Sequence, residues 1–226
     1  MTSVVNYQKV RHVVAGLLRN RRWLLQPKRW RSRRLLHLGC GPNIFSDFVN
    51  LDYRWVPGVD VVWDLSRPLP FPPNRFEGAY TEHCLEHFTL SELDSILREL
   101  HRILLPGGRL RVVVPSLETH LLLYQDAVRA RTHAPAPPPS AEPAAGLNRV
   151  FYSGHSDMAR SGWFHDGHHY MHDFSSLCAC LEKAGFAGVQ AVECGRSADA
   201  RLAVDNPARA WESLYIEAVK PADGGA

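Results

Sequence analysis

Residues 35–64, LLHLGCGPNIFSDFVNLDYRWVPGVDVVWD, decide the fold. They read as an apolar strand, a glycine turn at Gly39-Cys40-Gly41, a second short strand closing on Asp52 and a third closing on Asp64. That order brings the turn and two carboxylates to one edge of a parallel sheet. A turn without side chains lets backbone approach a ligand closely, and an acidic residue ending the next strand accepts hydrogen bonds from a ribose diol. The ligand implied is an adenosine-type cofactor. Asp52 follows Gly39 by 13 residues, short of the roughly 20 of a full dinucleotide unit, so the first helix of the unit must be clipped. The negative end of strand two also disfavours a 2′-phosphorylated nucleotide by charge repulsion.

Outward from this stretch the alternation of strands and helices continues. FEGAYTEH at 76–83 is the fourth strand, and a helix starts at Thr89, whose hydroxyl and Glu92 three residues on form a capping box. Leu93, Ile96, Leu97, Leu100, Ile103 and Leu104 give that helix a buried stripe, and Pro106-Gly107-Gly108 is expected to stop it. RLRVVVP at 109–115 has the continuous apolar character of a strand covered on both faces. SLETHLLLYQDAV reads as helix, whereas the prolines of 132–146 break periodicity and make a loop. An insert rich in aromatics and histidine follows at 147–172; then come a capped helix ending at Gly185 and a terminal antiparallel pair, VQAVECG and SLYIEAV.

The chain of 226 residues suits one α/β domain with appendages. Five cysteines at irregular spacing without CxxC argue against a disulfide framework or a zinc knuckle and for a reducing, cytoplasmic setting. No apolar stretch approaches the roughly 20 residues of a membrane span. The net charge of +3 conceals an asymmetry: residues 1–34 hold ten Lys or Arg and no acid, while the remainder carries a net −7. Val10, Val13, Val14, Leu17 and Leu18 mark an amphipathic helix over 4–19 in this arm. Two readings stand: a helix packed over the cofactor cleft or the sheet edge, or a contact with an anionic surface or substrate, to which Trp23 and Trp30 would suit an interface. The expected division is a basic arm at 1–34, removable without unfolding the rest, and a domain at 35–226.

HLGCG at 37–41, LPFPPNRFEGAYTEHCLEHF at 69–88 and LRELHRILLPGGRLRVVVP at 97–115 together resemble a class I S-adenosylmethionine-dependent methyltransferase, more narrowly the small bacterial type-11-like subgroup with a shortened first helix. HHYMHDFSSLCACLEKAGF and ESLYIEAVK extend the resemblance weakly toward the C-terminus. It implies a Rossmann-like, seven-stranded, mostly parallel sheet with a C-terminal antiparallel pair and helices on both faces. It implies S-adenosylmethionine as cofactor, S-adenosylhomocysteine as product, and a small-molecule or glycan acceptor. On the matching positions, Gly39, Cys40, Gly41, Asp52, Asp64, Leu65 and Glu82 are candidate cofactor contacts, with Asp64-Leu65 at the adenine; the third small position of the family's turn is Asn43 here, after Pro42.

Glu82 and His83 end strand four, where in the family methyl group and acceptor meet. His83 is the first candidate for a base, since imidazole titrates near working pH; helping to shape the cofactor pocket is its other reading. His83 to His87 also fits the H-x-x-E-H zinc pattern, yet it falls at a strand-to-helix junction of a complete cofactor fold, so no metal is expected. WFHDGHHYMHD at 163–173 supplies His168 and His169 as acceptor-side candidates. His165, His168 and His172 would align on one helical face as metal ligands, but Gly167 weakens a helix, and a solvated cluster is the third reading. Rival functions are an RNA-directed methyltransferase using the arm, disfavoured by the acidic remainder and the lack of an RNA module, and a non-catalytic cofactor-binding protein. A peripheral position on an anionic membrane through residues 1–34 is a further expectation.

Overall fold

A computed structural model describes residues 14–21, 30–132 and 168–222. Trp23, most of the 4–19 helix, nearly all of the proline-rich loop and the insert up to Gly167, with His165, lie outside them.

The sheet holds β1 (Leu35–Leu38), β2 (Phe48–Asp52), β3 (Val61–Val62), β4 (Phe76–Glu82), β5 (Leu104–Pro115), β6 (Ala187–Ala191) and β7 (Ser213–Val219), in the order β3-β2-β1-β4-β5-β7-β6. β1 to β5 pair in parallel, and β7 runs antiparallel to both neighbours. The order reverses between β1 and β4, where Leu38 pairs with Thr81. In open α/β sheets the crevice at such a reversal, outside the carboxyl ends of the strands, is where ligands bind.

Alternation across the strands divides the core. Leu36, Leu38, Val49, Leu51, Ala79, Val112 and Val114 face one layer with the buried stripe of α1 (Leu90–Ile103) and with Leu177 and Leu181 of α3 (Phe174–Lys183). Leu35, Phe48, Tyr80, Val113 and Tyr215 face the other, where Leu202 from the 3-10 turn Ala200–Leu202 and Phe45 close over them. Among the described residues the α-helices packed on the sheet lie on the first face. The second is covered by turns and loops, with α2 (Leu117–Thr132) leaving the end of β5.

The capping box at Thr89 forms as expected: Glu92 N–H donates to Thr89 Oγ1 at 3.4 Å and Thr89 N–H to Glu92 Oε2 at 2.9 Å. α1 ends earlier than expected, at Ile103, and Leu104 already pairs with Phe76. Pro106-Gly107-Gly108 is instead an irregularity inside the long β5, after which pairing resumes at Arg109, and Gly107 takes φ +77° there. The clipped first helix is absent altogether: residues 39–47 are turns. Asn50, buried on β2, substitutes for it by accepting from Phe45 N–H (3.1 Å) and donating to Phe45 O (2.9 Å). Phe45 then stacks on His37 at 4.8 Å.

The arm is joined to the domain at its C-terminal end. Trp30, read from the sequence as an interface residue, is 7% exposed within the core and meets Phe71 edge-on at 5.7 Å. Arg33 pairs with Asp60 at 2.7 Å. Asn20 N–H donates to Val62 O at 3.2 Å, its Oδ1 accepts from Asp64 N–H at 3.0 Å, and the Arg19 guanidinium lies 3.4 Å over the Tyr53 ring. Arg19 and Asn20, at the end of the described part of the arm helix, thus contact the β2–β3 edge.

On the second face, fully buried Arg111 on β5 holds Asp205 through two hydrogen bonds of 2.8 and 2.5 Å and Glu217 at 3.0 Å, and donates to the carbonyls of Arg196 and Glu193. Breaking such a buried network leaves charges without partners. Its consequence is to pin the loop that reaches Asn206, beside Glu82.

Candidate active site

Two glycines shape the turn after β1. Gly39 has φ +67°, and a Cβ there would lie 2.8 Å from Cys84 Cβ and closer still to its sulfur. Only glycine allows this turn to sit against the end of β4. Gly41 has φ +52°, and among the described residues a Cβ there would meet only Arg54 Nη2, at 3.9 Å. Gly41 N–H donates to Asp52 Oδ2 at 2.8 Å, and Arg54 N–H to Asp52 Oδ1 at 2.7 Å. The carboxylate at the end of β2 therefore folds the turn. Each of its oxygens retains a further acceptor site, which is what a ribose diol needs.

The residues present fit an adenosine-type cofactor. Cys40 is buried, and burial followed by the Asp52 charge pushes its thiol pKa up, keeping it neutral at the turn. Asp64 Oδ1 accepts from Ser66 N–H at 3.0 Å and Ser66 Oγ at 2.7 Å, and Leu65 is buried beside it. A shallow hollow of about 250 Å³ lined by Asn20, Trp63, Arg67 and Pro68 adjoins this position. Glu82 Oε1 accepts from Asn206 N–H at 3.1 Å.

His83 has φ +47°, a left-handed conformation that costs a non-glycine residue about 1–2 kcal/mol and clusters at functional sites. Its backbone N–H still donates to Val113 O, in line with β4. Both ring nitrogens face protein groups: Nε2 lies 2.9 Å from Ser213 Oγ, at the start of β7, and Nδ1 lies 3.6 Å from Glu86 Oε1. Ser213 escaped the sequence reading because nothing local marks it. Glu86 stood only as the middle of the H-x-x-E-H pattern.

Residues 168–172 are not helical, so the histidine alignment considered for a metal does not form in them. Their backbone is clamped instead: His169 N–H (2.8 Å) and Tyr170 N–H (3.2 Å) both donate to Glu86 O. His168 Nε2 comes to 3.9 Å from Glu86 Oε1, while His169 is exposed. The two acceptor-side candidates therefore separate, one turned in and one out. His172 is buried, and burial lowers its pKa against the opposing charges of Glu86 and Asp173.

No helix among the described residues is long and apolar enough to cross a membrane. A model of the methyltransferase-domain family matches residues 8–191. A search of the curated proteins finds no match. Solved structures similar to the chain include an S-adenosylmethionine-dependent methyltransferase from Mesorhizobium loti, 22% identical over 82% of this chain and 90% of that one with a TM-score of 0.46. Another, from Methanosarcina mazei, is 17% identical over 84% and 92% with a TM-score of 0.48. Human N-acetylserotonin methyltransferase, solved with S-adenosylmethionine, is 13% identical, with a TM-score of 0.44, over 83% of this chain and 47% of that longer one. With a family model covering well over half its length, this chain belongs to the methyltransferase-domain family and is a class I S-adenosylmethionine-dependent methyltransferase.

Proposed function

We propose that the protein methylates a hydroxyl group of a small molecule or of a sugar or glycan acceptor. The observation that carries this reading is the chain Ser213–His83–Glu86 at the end of β4, against the glycine turn of β1, with contacts of 2.9 and 3.6 Å. When bound, the cofactor supplies a methyl group on a sulfonium, whose departure as a neutral thioether needs no acid. What the protein must do is align the acceptor and, for a hydroxyl, remove its proton.

In this reading Asp52 takes the ribose hydroxyls with the acceptor capacity left beside its bonds to Gly41 and Arg54. Asp64 turns Oδ2 to the adenine amino group, since Oδ1 is held by Ser66. Ser213 is the partly exposed end of the relay: its oxygen receives the acceptor proton as its own passes to His83 Nε2, and Glu86 steadies the imidazolium across Nδ1. His168 borders the acceptor side.

Calorimetry with S-adenosylhomocysteine tests the cofactor half, and single-turnover rates with a panel of hydroxyl and amine acceptors test the rest. Asp52→Ala is expected to weaken binding at least tenfold, about 1.4 kcal/mol. His83→Ala is expected to lower kcat by roughly 10² while leaving that affinity nearly intact. Unchanged affinity in Asp52→Ala would remove Asp52 from the site; equal losses of affinity and rate in His83→Ala would make that residue a wall of the pocket.

A further inference from the structure

Glu86 lies in the 3-10 turn Leu85–His87 and is 1% exposed. Among the described residues neither carboxylate oxygen has a donor within hydrogen-bond distance. Instead three imidazole nitrogens converge on Oε1: His83 Nδ1 at 3.6 Å, His87 Nε2 at 3.8 Å and His168 Nε2 at 3.9 Å. A carboxyl group buried without a donor is costly to ionise unless a cation is shared with it.

The spacings are too long for hydrogen bonds and suit a shared ion. Ligand atoms about 2.0–2.1 Å from a tetrahedral zinc stand about 3.4 Å from one another. One ligand atom each from Glu86, His87 and His168 lie within 4.8 Å of one another, so side-chain rotations that shorten the widest spacing by up to about 1.4 Å close the set. The fold builds this convergence deliberately from separate parts. The turn after β4 supplies Glu86 and His87, and the two bonds from His169 and Tyr170 N–H to Glu86 O carry His168 across it. The His87 and His168 rings meet edge-to-face at 5.1 Å, and the Nε2 atom of each lies within 4 Å of Glu86 Oε1.

We propose that Glu86, His87 and His168 bind one divalent transition-metal ion, with zinc as the best match to one carboxylate and two imidazoles. Three protein ligands leave a coordination position open, as in catalytic zinc sites. Resting on the functional reading above, that position holds the acceptor hydroxyl. Its oxygen binds the ion, which weakens the O–H bond; the proton passes through Ser213 to His83; and the oxygen lone pair forms the bond to the methyl carbon as the carbon–sulfur bond breaks, its pair staying on sulfur. His83, facing the same carboxylate oxygen, then orients a metal ligand as well as taking the proton.

The test titrates Zn²⁺ and Co²⁺ into the chelator-stripped full chain by calorimetry, with the visible d–d bands of Co²⁺ as a second signal. One ion per chain is expected, with affinity reduced tenfold or more in His87→Ala, His168→Ala and the isosteric Glu86→Gln, and unchanged in His101→Ala, a histidine on α1. Circular dichroism verifies that each variant is folded, and His168→Gln replaces His168→Ala if the latter is not. Absence of stoichiometric binding, or equal affinity in wild type and ligand variants, overturns the proposal. S-adenosylhomocysteine titrated into the same samples separates the two readings: cofactor binding without metal overturns the metal site alone, and metal without cofactor overturns the methyltransfer reading alone.

Discussion

Replacing Gly39 by alanine adds one methyl group where β1 turns against the end of β4. Two costs follow from the geometry. At φ +67° an alanine is in the left-handed region, at about 1–2 kcal/mol. The added carbon would also stand 2.8 Å from Cys84 Cβ, with Cys84 Sγ nearer still. Carbon atoms in contact keep roughly 3.5 Å or more, and forcing extra volume into a packed site costs about 1–3 kcal/mol. Rotation of the thiol relieves its part of the clash, but the Cys84 Cβ cannot move without its backbone. The total is about 2–5 kcal/mol, or roughly 5–15 °C in melting temperature for a chain of this length. Thermal and urea unfolding of Gly39→Ala, Cys84→Gly and the double variant close a mutant cycle. The steric share should reappear as a coupling of about 1–3 kcal/mol, because Cys84→Gly removes both clashing atoms while the backbone share persists. A Gly39→Ala protein that melts with the wild type, or a coupling near zero, would refute this account of the turn.

His37, 2% exposed on β1, has its pKa lowered from 6.5 to about 4, chiefly by burial, with Asn50 opposing. The unfolded chain then binds the proton more readily, so the stability from keeping this ring neutral is fully present above about pH 6.5 and is lost as pH falls toward 4, by about 3 kcal/mol. Urea midpoints from pH 7 to 4 should fall less steeply in His37→Phe than in wild type; parallel curves would remove His37 from the acid response. Trp30→Ala should cost about 3–5 kcal/mol, as for other large core truncations. A chain beginning at residue 30 should accordingly unfold at distinctly higher urea than one beginning at residue 35; equal midpoints would return Trp30 to a surface role and restore the boundary at 34.

Arg75 ties the end of the arm to the domain. Its guanidinium donates to the carbonyls of Trp30, Arg31 and Arg33, so this end of the arm is tied by its backbone while the side chains of Arg31 and Arg34 stay exposed. A run of arginines reports solvation of side chains; it says nothing about the peptide groups between them. The tryptophan among them packs with Phe71, some forty residues on.

What the sequence determined by itself was local. The apolar runs placed the strands to within a few residues, Thr89-Glu92 and Asp173 marked two helix starts that form as capping boxes, and the glycine turn after β1 closes on Asp52 at the end of β2. These signals survive because periodicity, capping and left-handed turns act over a handful of neighbouring residues. Where expectation failed locally, the competitor was tertiary pairing. Leu104 left its helix to join Phe76 across the sheet, and Asn50 fastened a turn where a helix had been expected. The proposed chemistry of the site was decided by the tertiary structure alone. Ser213 reaches His83 because β7 inserts antiparallel beside β5, and His168 reaches Glu86 because two peptide N–H groups far along the chain find one carbonyl. Sheet register and loop docking set those contacts, and neither is written in the spacing of any one segment.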